Sequence, residues 1–248
     1  MPESAKVPGG RSPVRFSRIE QTRTHVYIAE QLRREITLGV LPTGEALPPE
    51  RKLAAMFGVA RATVQQAVRI LEAEGLVTAR RGRGGGTFVT GPPSDSVSRH
   101  RLVAHVSGNR RLIEEAVAYR LEIEPAAAGE AALARTAEDL ADLGQIAGRA
   151  AATTDDALFT SLDTQFHLAV ATAAHNRFFA EAVERVRLSL YEAIMLLPES
   201  PVWQQRSLRE HERIFAGVEA GDPQAARGAM LAHVSHTARS LRALLKAL

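Results

Sequence analysis

Apolar side chains recur at helical spacing along most of the chain, and the breaks between recurrences divide it into short elements. Val26, Ala29, Leu32 and Ile36 share one face of a helix expected over about 22–39, with Gly39 as its stop. After the loop Leu41-Pro42-Thr43-Gly44, Pro49 suits a helix start, and Glu50 to Phe57 reads as a short helix ended by Gly58. Arg61 to Glu74 puts Val64, Ala67, Val68 and Leu71 at i, i+3, i+4 and i+7, with Gln65, Gln66 and Arg69 turned away and Gly75 closing the run. Alternation then replaces the helical period. Leu76 to Ala79 and Thr87 to Thr90 predict two strands around Arg80-Arg81-Gly82-Arg83-Gly84-Gly85-Gly86, a hairpin with a basic, glycine-rich tip.

Gly91-Pro92-Pro93-Ser94-Asp95-Ser96 joins helix breakers to small polar residues and reads as a linker. Beyond it, helices are expected over about 109–134, 137–151, 156–174, 177–196, 202–220 and 223–247, with Asp222-Pro223 capping the last. The expected fold is mainly α: a winged helix-turn-helix with a small β hairpin wing over 18–91, and a C-terminal all-α helical bundle over 108–248. Residues 1–17, rich in Pro, Gly, Ser and Arg, are expected to form a disordered arm, and 92–107 a linker.

Composition narrows what such a chain can do. With 248 residues, 45% of them hydrophobic, it can bury a core in each of two domains. It has no cysteine, which removes disulfides and thiolate metal sites and leaves His, Asp and Glu as metal ligands. No run approaches the roughly 18 apolar residues of a membrane span, so a soluble, cytoplasmic protein is expected. Residues 1–98 carry 14 Lys/Arg against 9 Asp/Glu, whereas 99–248 carry 17 against 19. The basic excess therefore sits in the half that has the helix-turn-helix pattern, where a phosphate backbone is the natural partner.

A short helix, a three-residue turn and a second helix with a polar outer face can seat that second helix in the major groove. Arg61, Thr63, Gln65 and Gln66 are placed to read it: Gln can pair with adenine through two hydrogen bonds, and Arg with guanine or phosphate. The alternative is that Gln65 and Gln66 form a solvated helix face. Four ordered blocks then carry a resemblance: Leu47-Pro48-Pro49-Glu50-Arg51-Lys52-Leu53-Ala54, Phe57-Gly58-Val59-Ala60-Arg61-Ala62-Thr63-Val64, Leu71-Glu72-Ala73-Glu74-Gly75-Leu76-Val77 and Gly86-Thr87-Phe88-Val89. Over about 22–90 the chain resembles the N-terminal domain of GntR-type regulators. The resemblance implies DNA contacts from Arg51, Arg61, Thr63 and the wing tip with Arg81, Arg83 and Gly84. Two positions depart from the family pattern. Ala60 stands where Ser or Thr usually caps the recognition helix, and Gln65 stands where Arg is frequent.

The rear helices hold ionisable residues on their apolar stripes. Asp163 lies at the centre of a stripe made by Phe159, Leu162, Phe166 and Val170, with His167 one turn on; His211 and His233 lie inside the stripes of two later helices. A lone buried carboxylate is costly. A divalent cation such as zinc, nickel or manganese, shared by Asp163, His167, His211 and His233, would offset that cost. The alternative is a hydrogen-bonded Asp–His core cluster without metal. His236, off the stripe, is expected at the surface or behind the ligands.

These four positions, with Glu210-His211-Glu212, Tyr119-Arg120-Leu121-Glu122 and Ala174-His175-Asn176, resemble the FCD domain, the sensing half of FadR-like GntR regulators. That resemblance implies a helical bundle that dimerises and binds a small organic acid beside the metal. Arg120, on its own helix's apolar stripe, is a candidate carboxylate clamp, the alternative being an intrahelical pair with Glu124. Arg187, Tyr191 and Asn176 are further candidates for the effector pocket, although Asn176 also suits a helix cap. The expected protein is a homodimeric transcription regulator reading an inverted repeat in double-stranded DNA, controlled by an organic acid, sugar acid or amino acid. A metal-dependent enzyme and a ligand-free architectural DNA binder are the alternatives. Against an enzyme, His211-Glu212 is not followed by a second His at zincin spacing, and no nucleophile adjoins the cluster.

Overall fold

The structure is a computed structural model that describes residues 24–82, 84–90, 96–197 and 200–248. The expected arm over 1–17, Arg83 of the wing and residues 91–95 lie outside the described residues. The chain runs α1 (Thr24–Thr37), α2 (Glu50–Phe57), α3 (Arg61–Ala73), β1 (Val77–Arg80), β2 (Gly86–Val89), α4 (Ser96–Gly108), α5 (Arg110–Ala134), α6 (Ala137–Ala152), α7 (Asp156–Ala173), α8 (Arg177–Ile194), α9 (Pro201–Ala220) and α10 (Pro223–Ala247). Among the described residues no helix is long and apolar enough to cross a membrane.

The head is built on one small core. Ile28, Ala29, Leu32 and Ile36 of α1 meet Leu53 and Ala54 of α2 and Val64, Ala67, Val68 and Leu71 of α3, and the wing seals the end with Val77 and Val89. The strands lie one residue from their expected places because Val77 pairs with Val89 in antiparallel register, which turns both valines into the core. Residues 44–47 run along the outer side of β2, where Leu47 donates to Thr87 O at 2.7 Å and Val89 donates to Glu45 O at 2.9 Å. Gly58 ends α2 at φ +65°, the left-handed cap that lets α3 begin three residues later.

In the C-terminal bundle α5 is the central helix, in contact with α7, α8, α9 and α10. Its second half presents Ala127, Ala128, Ala131 and Ala132 inward, and such small side chains allow close helix approach. Most of the stretch expected as linker is helical. Over Ser96–Gly108 the chain forms α4, where Val106 is fully buried and Leu102 and Val103 partly so, against α5 and α8. The apolar face of α4 outweighs the breakers just before it.

Head and bundle touch through two helices. Arg34 of α1 forms an ion pair with Glu184 of α8. The turn after α1 docks on α7, where Ser161 Oγ and Gln165 Nε2 donate to Gly39 O at 3.1 and 2.7 Å. Gly39 has φ +71°, and a Cβ there would lie 2.0 Å from Ser161 Oγ, so conformation and space both require glycine. Between α1 and the helices α4, α5 and α8 lies a cavity of about 480 Å³, with Arg33, Arg34, His105, Asn109, Tyr191 and Glu192 in its wall.

Candidate functional site

The exposed face of α3 carries Arg61 and Gln66, with Thr63 and Gln65 partly covered. Glu50, the first residue of α2, organises part of this face: Arg61 Nε and Gln65 Nε2 both donate to Glu50 Oε2, at 2.8 and 2.9 Å. Burial pushes the Glu50 carboxyl up, but the hydrogen bond from Arg61, the stronger influence, and that from Gln65 hold it below the usual carboxylate range. Arg51 on α2 and Arg81 and Gly84 at the wing are exposed. A groove of about 450 Å³ runs between wing and recognition helix, bounded by Glu50, Arg51, Arg61, Gly86 and Thr87. Glu50 was not singled out from the sequence because its role depends on which side chains α3 aims at it. Ala60, just before α3, gives it no side-chain cap, as the missing hydroxyl implies.

The second constellation lies in the middle of the bundle. Asp163 and His167 come from α7, His211 from α9 and His233 from α10, all buried, and each offers a ligand atom such that all four lie within 4.8 Å of one another. At the bond lengths usual for such ligands, about 2.0–2.2 Å, two ligands of one ion stand at most about 4.4 Å apart, so side-chain shifts of a few tenths of an ångström bring the set onto a single cation. His167 Nε2 and His233 Nε2 face each other at 3.1 Å, and His211 Nε2 stands 3.3 Å from Asp163 Oδ1. The stack of His211 on Phe166, with centroids 4.2 Å apart, fixes the imidazole plane.

Carboxylates lie behind two of the imidazoles. Glu124 Oε2 is 2.5 Å from His167 Nδ1, and Glu210 Oε2 is 2.9 Å from His233 Nδ1. The first contact lacks hydrogen-bond alignment, but a carboxylate oxygen so close to Nδ1 favours the proton on that nitrogen. With both Nδ1 atoms protonated, the two Nε2 atoms present lone pairs to each other, an arrangement that a cation relieves and a hydrogen bond between the rings cannot. His211 Nε2 is buried without a well-formed hydrogen bond, the orphaned donor atom expected of a ligand set. Burial pushes His167 down to about 3 despite Glu124 beside it, so the ring is neutral and able to ligate. The residues present therefore fit a divalent ion.

Two guanidinium groups border the cluster. Arg187 of α8 donates through Nη2 to Asp163 Oδ2 at 2.7 Å and to Thr164 Oγ1 at 2.6 Å. Arg120 of α5 donates through Nε to Glu124 Oε1 at 2.7 Å, and its Nη2 lies 3.5 Å from His167 Nε2. The intrahelical pair with Glu124 is thus formed, and Arg120 still reaches the metal-competent cluster. In both arginines Nη1 is buried with no partner. Burial tends to raise the carboxyls of Asp163 and Glu124, but Arg187 beside the first and Arg120 beside the second outweigh it and hold both well below the usual range.

The remaining candidates lie elsewhere. Tyr191 is on the wall of the cavity under α1, which none of the four cluster residues lines. Asn176 is exposed and caps α8, its side chain accepting from Phe178 N at 3.0 Å; the cap alternative describes its contacts, and it does not reach the cluster. His236 pairs with Glu210 behind His233. Glu124, Glu210, Thr164 and Ser207 received no site role from the sequence. Glu124 left a signal as a carboxylate four residues after Arg120 on a buried stripe, and Glu210 stood in the quoted Glu210-His211-Glu212 run. Ser207 Oγ donates to Asp163 Oδ1 at 3.3 Å, so a hydroxyl does adjoin the cluster, contrary to expectation; it is hydrogen-bonded to the carboxylate.

Comparison with known proteins agrees with both halves. Residues 24–89 match the family described as bacterial regulatory proteins, gntR family, and residues 115–236 match the FCD domain. The chain is 31% identical over 222 residues to an Escherichia coli (strain K12) protein named for regulating the L-lactate dehydrogenase operon, covering 84% of this chain and 82% of that one. It is 30% identical over 206 residues to the Uxu operon transcriptional regulator of the same organism, covering 80% and 79%. Among solved structures, E. coli McbR/YncC superposes with a TM-score of 0.51 at 17% identity, over 90% of this chain and 99% of that one, a likeness of fold. These matches speak for a regulator and against the enzyme alternative. The chain belongs to the GntR family of transcription regulators and joins a winged helix-turn-helix head to an FCD domain.

Proposed function

We propose that this regulator is a cytoplasmic homodimer that reads an inverted repeat and is controlled by a small organic acid bound beside a divalent metal ion. The observation that carries the proposal is the convergence of Asp163, His167, His211 and His233 within 4.8 Å, buried and bordered by Arg120 and Arg187. Bound to these four residues, zinc, nickel or manganese would supply a Lewis-acid position for an effector oxygen. Arg120 and Arg187, each with an unpartnered Nη1, would pair with the effector carboxylate, whether of an organic acid, a sugar acid or an amino acid. The name of one relative refers to an operon for an enzyme of a small hydroxy acid, which is consistent with that chemistry.

On the DNA side, Arg61, Thr63, Gln65 and Gln66 would face the major groove, with Arg51 and the wing residues Arg81, Arg83 and Gly84 on the backbone. α7 and α8 give a route between the halves. Asp163 and His167 alternate on α7 with Ser161 and Gln165, which hold the Gly39 turn, and on α8 Arg187 is one turn from Glu184, which holds Arg34. An effector that favours one arrangement of these helices changes the pose of the head, and with it DNA affinity.

A melting screen of the full chain tests this reading. Zinc, nickel or manganese is expected to raise the melting temperature, chelator to lower it, and a subset of organic, sugar or amino acids to raise it further only in the metal-loaded protein. A protein stabilised by no metal and no acid would be a ligand-free DNA binder.

A further inference from the structure

Glu124 is fully buried in α5, with Oε1 in a hydrogen bond and Oε2 in close contact with an imidazole nitrogen without hydrogen-bond alignment. Oε1 accepts from Arg120 Nε at 2.7 Å, and Oε2 lies 2.5 Å from His167 Nδ1. Glu210 has a different pair of partners: Oε2 accepts from His233 Nδ1, and Oε1 contacts His236, which reaches the surface. Both carboxylates therefore stand behind an imidazole of the candidate metal set. Only Glu124 also holds an arginine at the cluster.

A carboxylate at Nδ1 selects the Nδ1–H tautomer, so the lone pair is on Nε2, the atom turned toward the other ligands. It also fixes the ring plane. Arg120 is gripped through Nε alone, so its Nη edge is placed beside His167 Nε2 at 3.5 Å, with Nη1 unpartnered. Imidazole and guanidinium are thus referred to one rigid group, and displacing either moves the other.

We propose that Glu124 is a positioning residue that sets the tautomer of His167 and the place of Arg120 together, coupling the metal ligand to the acid clamp, while Glu210 orients His233 and holds no arginine at the cluster. This rests on the metal reading above. The first test needs no variant: in metal-free protein, long-range ¹H–¹⁵N NMR of labelled histidine is expected to find His167 and His233 protonated on Nδ1. His167 protonated on Nε2 would overturn the proposal.

The second test measures Zn²⁺ affinity by competition with a chelating dye. Glu124→Gln and Glu210→Gln are each expected to lose about 10- to 100-fold, the usual effect of removing a partner behind a ligating histidine. In the third, the Arg120 Nε–H signal is followed as Zn²⁺ is added. It is expected to shift in the parent protein and in Zn²⁺-saturated Glu210→Gln, and to shift distinctly less in Zn²⁺-saturated Glu124→Gln, where only the direct field of the ion remains. Affinity within twofold of the parent in Glu124→Gln, or an Arg120 signal as responsive there as in Glu210→Gln, would refute the coupling and leave the metal reading intact. A parent protein that takes up none of Zn²⁺, Ni²⁺ or Mn²⁺ would refute the metal reading, and the proposal with it.

Discussion

At Asp163 burial and charge pull in opposite directions. The interior disfavours its anion, while Arg187 at 2.7 Å and the imidazoles nearby favour it, and the charge wins. The reverse holds at His167, where burial prevails over Glu124 and pushes the imidazole down to about 3. In the unfolded chain the same imidazole titrates near 6.5. Between those values the unfolded chain binds a proton that the folded chain refuses, so acid favours unfolding. Asp163 and Glu124, both held low, add to the loss once the pH falls below about 4, where an unfolded carboxylate protonates. Chelator-treated protein should therefore melt at steadily lower temperature as the pH drops from about 6.5 toward 4. A melting temperature flat across that window would contradict the neutral, buried His167.

Among elements, the helices differ in how their first turns are satisfied. Thr136 and Asp139 form a reciprocal capping box on α6, and Asp155, Asn176, Ser200 and Asp222 each cap the helix that follows. α3 has Ala60 in that place, already extended at φ −67° and ψ 145°, with no side-chain oxygen to offer. Ala60→Ser should supply the missing acceptor without moving the backbone and stabilise the head by about 1 kcal/mol. Chemical denaturation read by circular dichroism would register the gain as a higher midpoint at unchanged slope. No gain would mean that the first turn of α3 is already satisfied by solvent.

Across the whole molecule, the junction between head and bundle rests on few contacts, and the turn at Gly39 is the least tolerant of them. Gly39→Ala would meet Ser161 Oγ at 2.0 Å and the Ser161 backbone at 3.0 Å, at a φ of +71° that alanine disfavours. Both domain cores lie outside this contact, so each is expected to stay folded while the head leaves α7. X-ray scattering should then report a larger radius of gyration, and DNA affinity should no longer respond to loading or stripping the metal. A variant as compact as the parent, with its response kept, would show that the Arg34–Glu184 pair alone carries the docking.

Periodicity determined the helices within a residue or two, because an amphipathic stripe is a local property: Val64, Ala67, Val68 and Leu71 meet the same core wherever α3 packs. The same projection placed Asp163, His167, His211 and His233 inside the bundle. It missed α4, where Pro92 and Pro93 outweighed the three apolar residues that follow. Only the tertiary structure could decide what lies between helices far apart in sequence. Glu124 behind His167, Arg187 on Asp163 and Gly39 under Ser161 join positions from 24 to 122 residues apart, and no local pattern encodes such a meeting. A stripe says that a side chain points inward; which partner it finds there depends on how the helices cross.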